Sequence, residues 1–179
     1  MITKLKYNWN ELSRGEKTDI ITVAVMRNIF LRGNNHQVGM REINVNIGKN
    51  KRNLRIDVLQ IDRNKNELVG YEVKSCIQDF RTDKKWEKYL DLINQLYFVF
   101  DSETYEKHEK EILEKINGKA GVYVYNTTCR WLTLKQSVKV TQLPLKNEEF
   151  YRIILFNYLF RKAQRAMCWN DTKPTIWLD

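Results

Sequence analysis

Arg55-Ile-Asp-Val-Leu-Gln-Ile-Asp-Arg-Asn-Lys-Asn-Glu-Leu-Val-Gly-Tyr-Glu-Val-Lys74 reads as two strands joined by a turn. Leu54, Ile56 and Val58 alternate with Arg55, Asp57 and Leu59, the period of two expected of a strand with one buried face. Asp57 is then expected on the face opposite Leu54, Ile56 and Val58. Glu67 to Lys74 alternates likewise, so that Glu72 and Lys74 share one face and Tyr71 and Val73 the other. Asp62 to Asn66 carries turn chemistry. A turn centred between Asn64 and Lys65 sets Asp57 directly opposite Glu72, whereas a three-residue loop would shift the pairing by one.

Two carboxylates facing each other across a hairpin, with Cβ atoms about 5 Å apart, repel and cost stability. A cation between them removes that cost. Two carboxylate oxygens with a backbone carbonyl and water suit a hard ion such as Mg²⁺ or Mn²⁺. Lys74, one pleat beyond Glu72, would orient or activate a water there and stabilise charge developing on a phosphate. The alternative is a set of solvated acids on an exposed sheet face, with Lys74 pairing one of them.

The 179 residues are expected to form one domain, 1–179, burying roughly two thirds of the unfolded surface. A net charge of +9 and an isoelectric point near 9.4 favour a polyanionic partner. Nucleic acid ranks ahead of anionic lipid because no basic amphipathic anchor or lipidation motif stands out. Met1 to Asn10 has no apolar core of signal-peptide length, and no apolar run is long enough to span a bilayer. A cytoplasmic location is expected. Cys76, Cys129 and Cys168 are widely spaced, as for free buried thiols, and no zinc-ligand spacing occurs. His36 and His108 read as structural or solvated.

Upstream of the hairpin, Ser13 with Glu16 forms a capping-box pattern and Gly33 a stop. Between them Ile20, Val23, Ala24, Ile29 and Leu31 give a helix an apolar face. His36 to Ile47 alternates as a strand, with Glu42 on its polar face. Glu42 is either a further acid near Asp57 or surface decoration. Downstream, Ser75 or Gln78 would cap a short turn. Thr82 or Asp83 would cap a longer helix with Trp86, Tyr89, Leu90 and Ile93 on one stripe. Lys84, Lys85 and Lys88 are left on its other faces as candidate phosphate contacts. Leu96 to Phe100 and Ala120 to Tyr125 read as buried parallel strands joined by a helix that starts at Asp101 or Ser102. Arg130 to Leu134 and Ser137 to Leu143 suggest a final hairpin, Lys146 to Cys168 a long helix, and Trp169 to Asp179 a docking tail.

Asp57, then Glu72-Val73-Lys74-Ser75, is the short D…E-x-K signature of PD-(D/E)XK nucleases. Asp79-Phe80-x-x-Asp83-x-Lys85-Trp86-x-x-Tyr89 and Leu96-Tyr97-Phe98 follow it, and the whole resembles the MmcB-like family of DNA-repair-associated proteins. The resemblance implies an α/β, restriction-endonuclease-like core: helix, three-strand antiparallel meander, helix, parallel strand. A βα unit, a short hairpin and the long C-terminal helix would extend it. It further implies Asp57, Glu72 and the Val73 carbonyl as ligands of Mg²⁺ or Mn²⁺, Glu42 as a further acid, and Lys74 as the group serving the attacking water. Ile56 stands where the superfamily has Pro, and Ile93-Asn94 where the family has Cys-Asp. The expected activity is metal-dependent hydrolysis of DNA phosphodiesters in repair. The competing expectation is a catalytically silent module that binds DNA or a repair protein, and an RNA-processing or defence nuclease is a third.

Overall fold

The computed structural model describes residues 8–32, 36–47, 52–62, 64–65 and 67–141. All of the described elements belong to one compact unit. The helix expected over 146–168, the tail and Cys168 lie outside the described residues.

The chain begins with a 3₁₀ turn, Trp9–Glu11, and α1, Arg14–Arg32. The capping box forms: Glu16 Oε2 accepts the Ser13 N–H at 2.8 Å, and Ser13 Oγ accepts the Glu16 N–H at 3.3 Å. α1 buries Ile21, Val25 and Ile29, one residue per turn, and leaves Val23 and Leu31 exposed. The expected stripe therefore falls partly on the wrong side of the helix, because five scattered apolar residues fit more than one face.

Three strands follow: β1, Gln37–Ile47; β2, Arg52–Asp62; and β3, Glu67–Lys74. They form the antiparallel meander that the resemblance implies. β2 starts at Arg52, two residues ahead of Leu54, where the alternation read from the sequence begins. Its hairpin with β3 closes at Asp62, which pairs with Glu67, and Asp62 Oδ1 accepts the N–H groups of Asn64 and Lys65 at 3.1 Å each. Next come a six-residue helix, α2, Ile77–Thr82, and a separate 3₁₀ segment, Trp86–Asp91. The longer helix expected from Thr82 or Asp83 does not form, because Asp83 leaves helical geometry (φ −71°, ψ 111°) and its Oδ1 accepts the Lys85 N–H. Cys76, rather than Ser75 or Gln78, is the N-cap of α2 and makes no side-chain cap bond.

β4, Gln95–Asp101, α3, Ser102–Ile116, and β5, Gly121–Asn126, give the expected parallel pair with a helical crossover, and β4 also runs parallel to β3. Asp101 caps α3, its two oxygens accepting from the Thr104 N–H at 2.9 Å and the Thr104 hydroxyl at 2.8 Å. β6, Trp131–Gln136, pairs antiparallel with β5, completing a six-stranded sheet in sequential order. Of the expected final hairpin over 130–134 and 137–143, the first strand forms as β6 and pairs with β5, the described residues 137–141 form no strand, and 142–143 lie outside the described residues. Asn126 Oδ1 binds the N–H groups of Thr128 and Cys129, forming the turn that returns the chain to the free edge of β5.

Helices cover both faces of the sheet, which is why both alternating sets of β3 and β4 are buried. On one face Val58, Tyr71, Val73, Tyr97, Val99, Tyr123 and Tyr125 pack with Trp9, Ile21, Val25 and Ile29. On the other, Phe80 and Trp86 set their edges against Phe98, at 5.0 and 5.6 Å between ring centroids. Gly70 lies under this second layer, where a β-carbon would stand 2.5 Å from Ile93 Cδ1 and 3.6 Å from Ile56 Cγ2. Ile56 and Val58 therefore occupy opposite faces of β2, not the shared face that strict alternation assigns. The regular pairing of β2 is interrupted between them, at Asp57.

Candidate active site

The β2–β3 register runs from Asp62 opposite Glu67 to Val58 opposite Tyr71, as expected from the turn, and Asp57 and Glu72 are the next residues on each strand. The cross-strand ladder ends there, and the Asp57 side chain takes over: its Oδ2 accepts the Val73 N–H at 2.9 Å. Glu72 and Lys74 point to the layer of α2 and the 3₁₀ segment, as the alternation requires, but into protein. Glu72 is 4% exposed and Lys74 8%, so the reading of solvated acids on an open face does not hold.

Lys74 Nζ lies 3.3 Å from Glu72 Oε2 and 2.6 Å from Asp83 Oδ2. Burial alone would lower the Lys74 pKa, but the charge of Glu72 and the bond and charge of Asp83 outweigh it and hold the ammonium above its ordinary range. Burial likewise opposes ionisation of Asp83, yet Lys74 and the N–H groups of Lys85 and Trp86 bring that carboxyl below its usual value. Glu72 is the opposite case. Burial first, and then the charge of Asp57, push it up to about 8, and its Oε1 is buried without a hydrogen-bond partner. Burial also raises Asp57, against the bond from Val73 and the charge of Lys74. Three carboxyls thus share one ammonium. The least solvated of them holds a proton near neutrality.

Tyr89, 4% exposed, closes the site and donates its hydroxyl to the Arg55 carbonyl at 2.8 Å. Burial and then the charges of Glu72, Asp83 and Asp57 push its phenol far above the ordinary range. Glu42 is bracketed by Arg41 and Ile43, which pair with Val58 and Ile56, so its position in β1 is opposite Asp57. Its φ of 51° is left-handed, an uncommon geometry for a residue other than glycine, and its side chain is exposed. Its charge is nonetheless felt at Asp57. Among the described residues, no group of three or more His, Cys, Asp or Glu side chains is arranged to hold a metal ion.

Lys84, Lys85 and Lys88 are exposed on the segment that carries Asp83. Asp79 pairs with Arg14 of α1. Trp86 and Tyr89 are buried, as their spacing suggests. Asn94, where the family has an acid, is architectural here. Its Oδ1 accepts the Leu68 N–H at 2.7 Å and its Nδ2 donates to the Thr141 carbonyl at 3.0 Å, and a carboxylate could not make the second bond. Cys76 and Cys129 are free, but Cys76 is half-buried and Cys129 exposed, rather than both buried. His36 is exposed and His108 pairs with Glu111 at 3.5 Å. Sequence reasoning misses the participation of Asp83. Its one signal is an acid nine residues beyond Lys74, in a segment whose periodicity points to helix instead.

Fold and site together define a restriction-endonuclease-like α/β core with two facing acids and a lysine on adjacent strands. Residues 10–115, more than half the chain, match the family model described as DNA repair protein MmcB-like, and the chain belongs to that family. The fold is similar to that of the SPO1766 protein of unknown function from Silicibacter pomeroyi. That match has a TM-score of 0.63 and 19% identity over 93% of this chain and 99% of the other. No curated protein matches. Among the described residues no helix is long and apolar enough to cross a membrane.

Proposed function

We propose that this protein is a metal-dependent nuclease acting on DNA phosphodiesters in repair. The carrying observation is the buried, unpartnered Oε1 of Glu72 beside the second carboxylate of Asp57, with an ammonium on the same face. The donor set fits a hard divalent cation, Mg²⁺ or Mn²⁺: two carboxylates, each with an oxygen not spent on a described hydrogen bond, and the Val73 carbonyl. Glu42, the further acid that the resemblance implies, is exposed and stands outside this donor set. When bound, such an ion supplies a polarised water and neutralises charge on the phosphate.

The chain's own residues account for the rest. Lys74 is held protonated, so it orients the attacking water and stabilises the phosphate by donating hydrogen bonds. Asp83 keeps that ammonium in place. The Val73 N–H holds the Asp57 carboxylate toward β3. Lys84, Lys85 and Lys88, exposed beside the site, are the proposed contacts to the DNA backbone. A cytoplasmic location and repair-protein partners accord with this reading. The second reading, a silent module that binds DNA or a repair partner, is favoured by the 2.6 Å ion pair with Asp83, which occupies Lys74.

The test uses labelled duplex, single-stranded and flapped DNA, and RNA, with Mg²⁺, Mn²⁺ or EDTA. Cleavage of DNA is expected with metal and is expected to be lost in Asp57→Asn, with DNA binding retained. Cleavage by Asp57→Asn equal to the parent's sinks the assignment. Salt-sensitive binding that ignores both EDTA and this substitution supports the silent module.

A further inference from the structure

We propose that Lys115 is a positioning residue for this site: by gathering the main-chain carbonyls that end α2, it fixes where Asp83 meets Lys74. The inference rests on the reading of Lys74 and Asp83 as site residues. α2 has six residues, and its last carbonyls lack intrahelical partners. Lys115, from the last turn of α3, donates to the carbonyls of Phe80, of Arg81 at 3.0 Å and of Asp83 at 3.3 Å. Three ammonium hydrogens meet three acceptors. The same ammonium stands 4.5 Å from the centroid of the Phe80 ring, which is fully buried against Phe98 and Phe100.

The platform behind Lys115 is firm. Ile112 and Ile116, on either side of it, are fully buried, and they lie with Lys115 on the stretch of α3 that follows its kink at His108. Other links to this region, Arg14 to Asp79, Arg81 to Glu111 and Lys119 to Glu87, join exposed side chains, which at the surface contribute little. Lys115 differs because it binds the backbone on which Asp83 is carried. With the Asp83 carbonyl held and Oδ1 engaged by the Lys85 N–H, Oδ2 is left facing Lys74. Sequence gives no hint of this, since Lys115 lies 32 residues from Asp83 in a helix with many lysines.

The test compares the full chain with Lys115→Met, Lys115→Gln, Lys115→Arg, Asp83→Asn and the Lys115→Met/Asp83→Asn double variant. Without metal, amide exchange at Lys85 should speed up at least about tenfold in Lys115→Met and Lys115→Gln while Val99 in β4 keeps the parent rate. Lys115→Arg, which still donates to carbonyls, should restore most of the protection. If the parent cleaves DNA, Lys115→Met should lower kcat about tenfold at nearly constant KM and add nothing in the Asp83→Asn background. Equal acceleration at Lys85 and Val99 would mean general destabilisation and would overturn the proposal. So would an equal loss of kcat with and without Asp83. If the parent does not cleave, the nuclease reading fails, and the exchange pattern alone decides the role of Lys115.

Discussion

Replacing Glu72 by Gln should remove the contribution that Glu72 makes to the pH dependence of the metal-free protein's stability between pH 5.5 and 8.5. The Glu72 carboxyl is raised from an ordinary 4.5 to about 8 by burial and by Asp57. The folded state therefore keeps a proton that the unfolded state releases above about 4.5. That contribution is fully present below the unfolded pKa and is lost as pH rises through 8. At about 1.36 kcal/mol per pKa unit, the whole effect is on the order of 5 kcal/mol, and about 3 kcal/mol of it falls between pH 5.5 and 8.5. Asp57, also raised by burial, acts in the same sense in both proteins, and Asp83, whose pKa is lowered, acts in the opposite sense and at pH values below this window. Urea unfolding in EDTA at pH 5.5, 7.0 and 8.5 measures both proteins. The advantage of Glu72→Gln over the parent should grow by about 3 kcal/mol across the series. Mn²⁺ should stabilise the parent more at pH 8.5 than at 5.5, because binding requires Glu72 to give up its proton, and should leave Glu72→Gln nearly unaffected. A constant difference between the two proteins across the window refutes the reasoning.

Three further outcomes follow from packing, capping and charge. Gly121→Ala should cost more than Gly70→Ala, by about 1 to 3 kcal/mol in thermal or urea unfolding. Its β-carbon would meet the Tyr97 ring at 2.3 Å and the Gln136 carbonyl at 2.7 Å, whereas at Gly70 the 2.5 Å neighbour is the movable tip of Ile93. Asp101→Ala should lower stability by about 1 to 2 kcal/mol, because it strips the cap of α3 and leaves the Thr104 N–H without its acceptor. Replacing Lys84, Lys85 and Lys88 together by Ala should weaken DNA binding evenly across sequences and reduce the slope of log K against log salt by up to about 2.7. An unchanged slope would remove these lysines from the interface.

Much of the core is legible from local chemistry. The capping box at Ser13, the turn after Asp62 and the alternation of β3 each involve residues within a few positions of one another, and all three appear as expected. The register that sets Asp62 opposite Glu67 and Val58 opposite Tyr71 follows from the turn alone, since the length of a tight loop fixes which residues face each other. The parallel β4–α3–β5 unit is readable for a similar reason: two apolar runs separated by a helical pattern leave few other solutions.

Misreadings arise where distant segments compete for the same residue. Trp86, Tyr89 and Ile93 have helical spacing, yet Asp83 breaks the helix because Lys74 and the Lys85 N–H both claim its carboxylate. β6 pairs with β5 and not with the described residues 137–141, because an open strand edge supplies a full ladder. Ile56 departs from alternation where the Asp57 side chain replaces the backbone ladder.

The amino-acid order by itself determined which acids and which lysine stand on neighbouring strands, since a period of two and a short turn need no knowledge of the rest of the chain. Only the tertiary structure decided their electrical state. The layer carrying Phe80, Trp86 and Tyr89 removes water from Glu72, and Asp83 arrives with that layer to hold Lys74. A carboxyl's affinity for its proton depends on everything packed around it, and that surrounding is assembled from segments far apart in the chain.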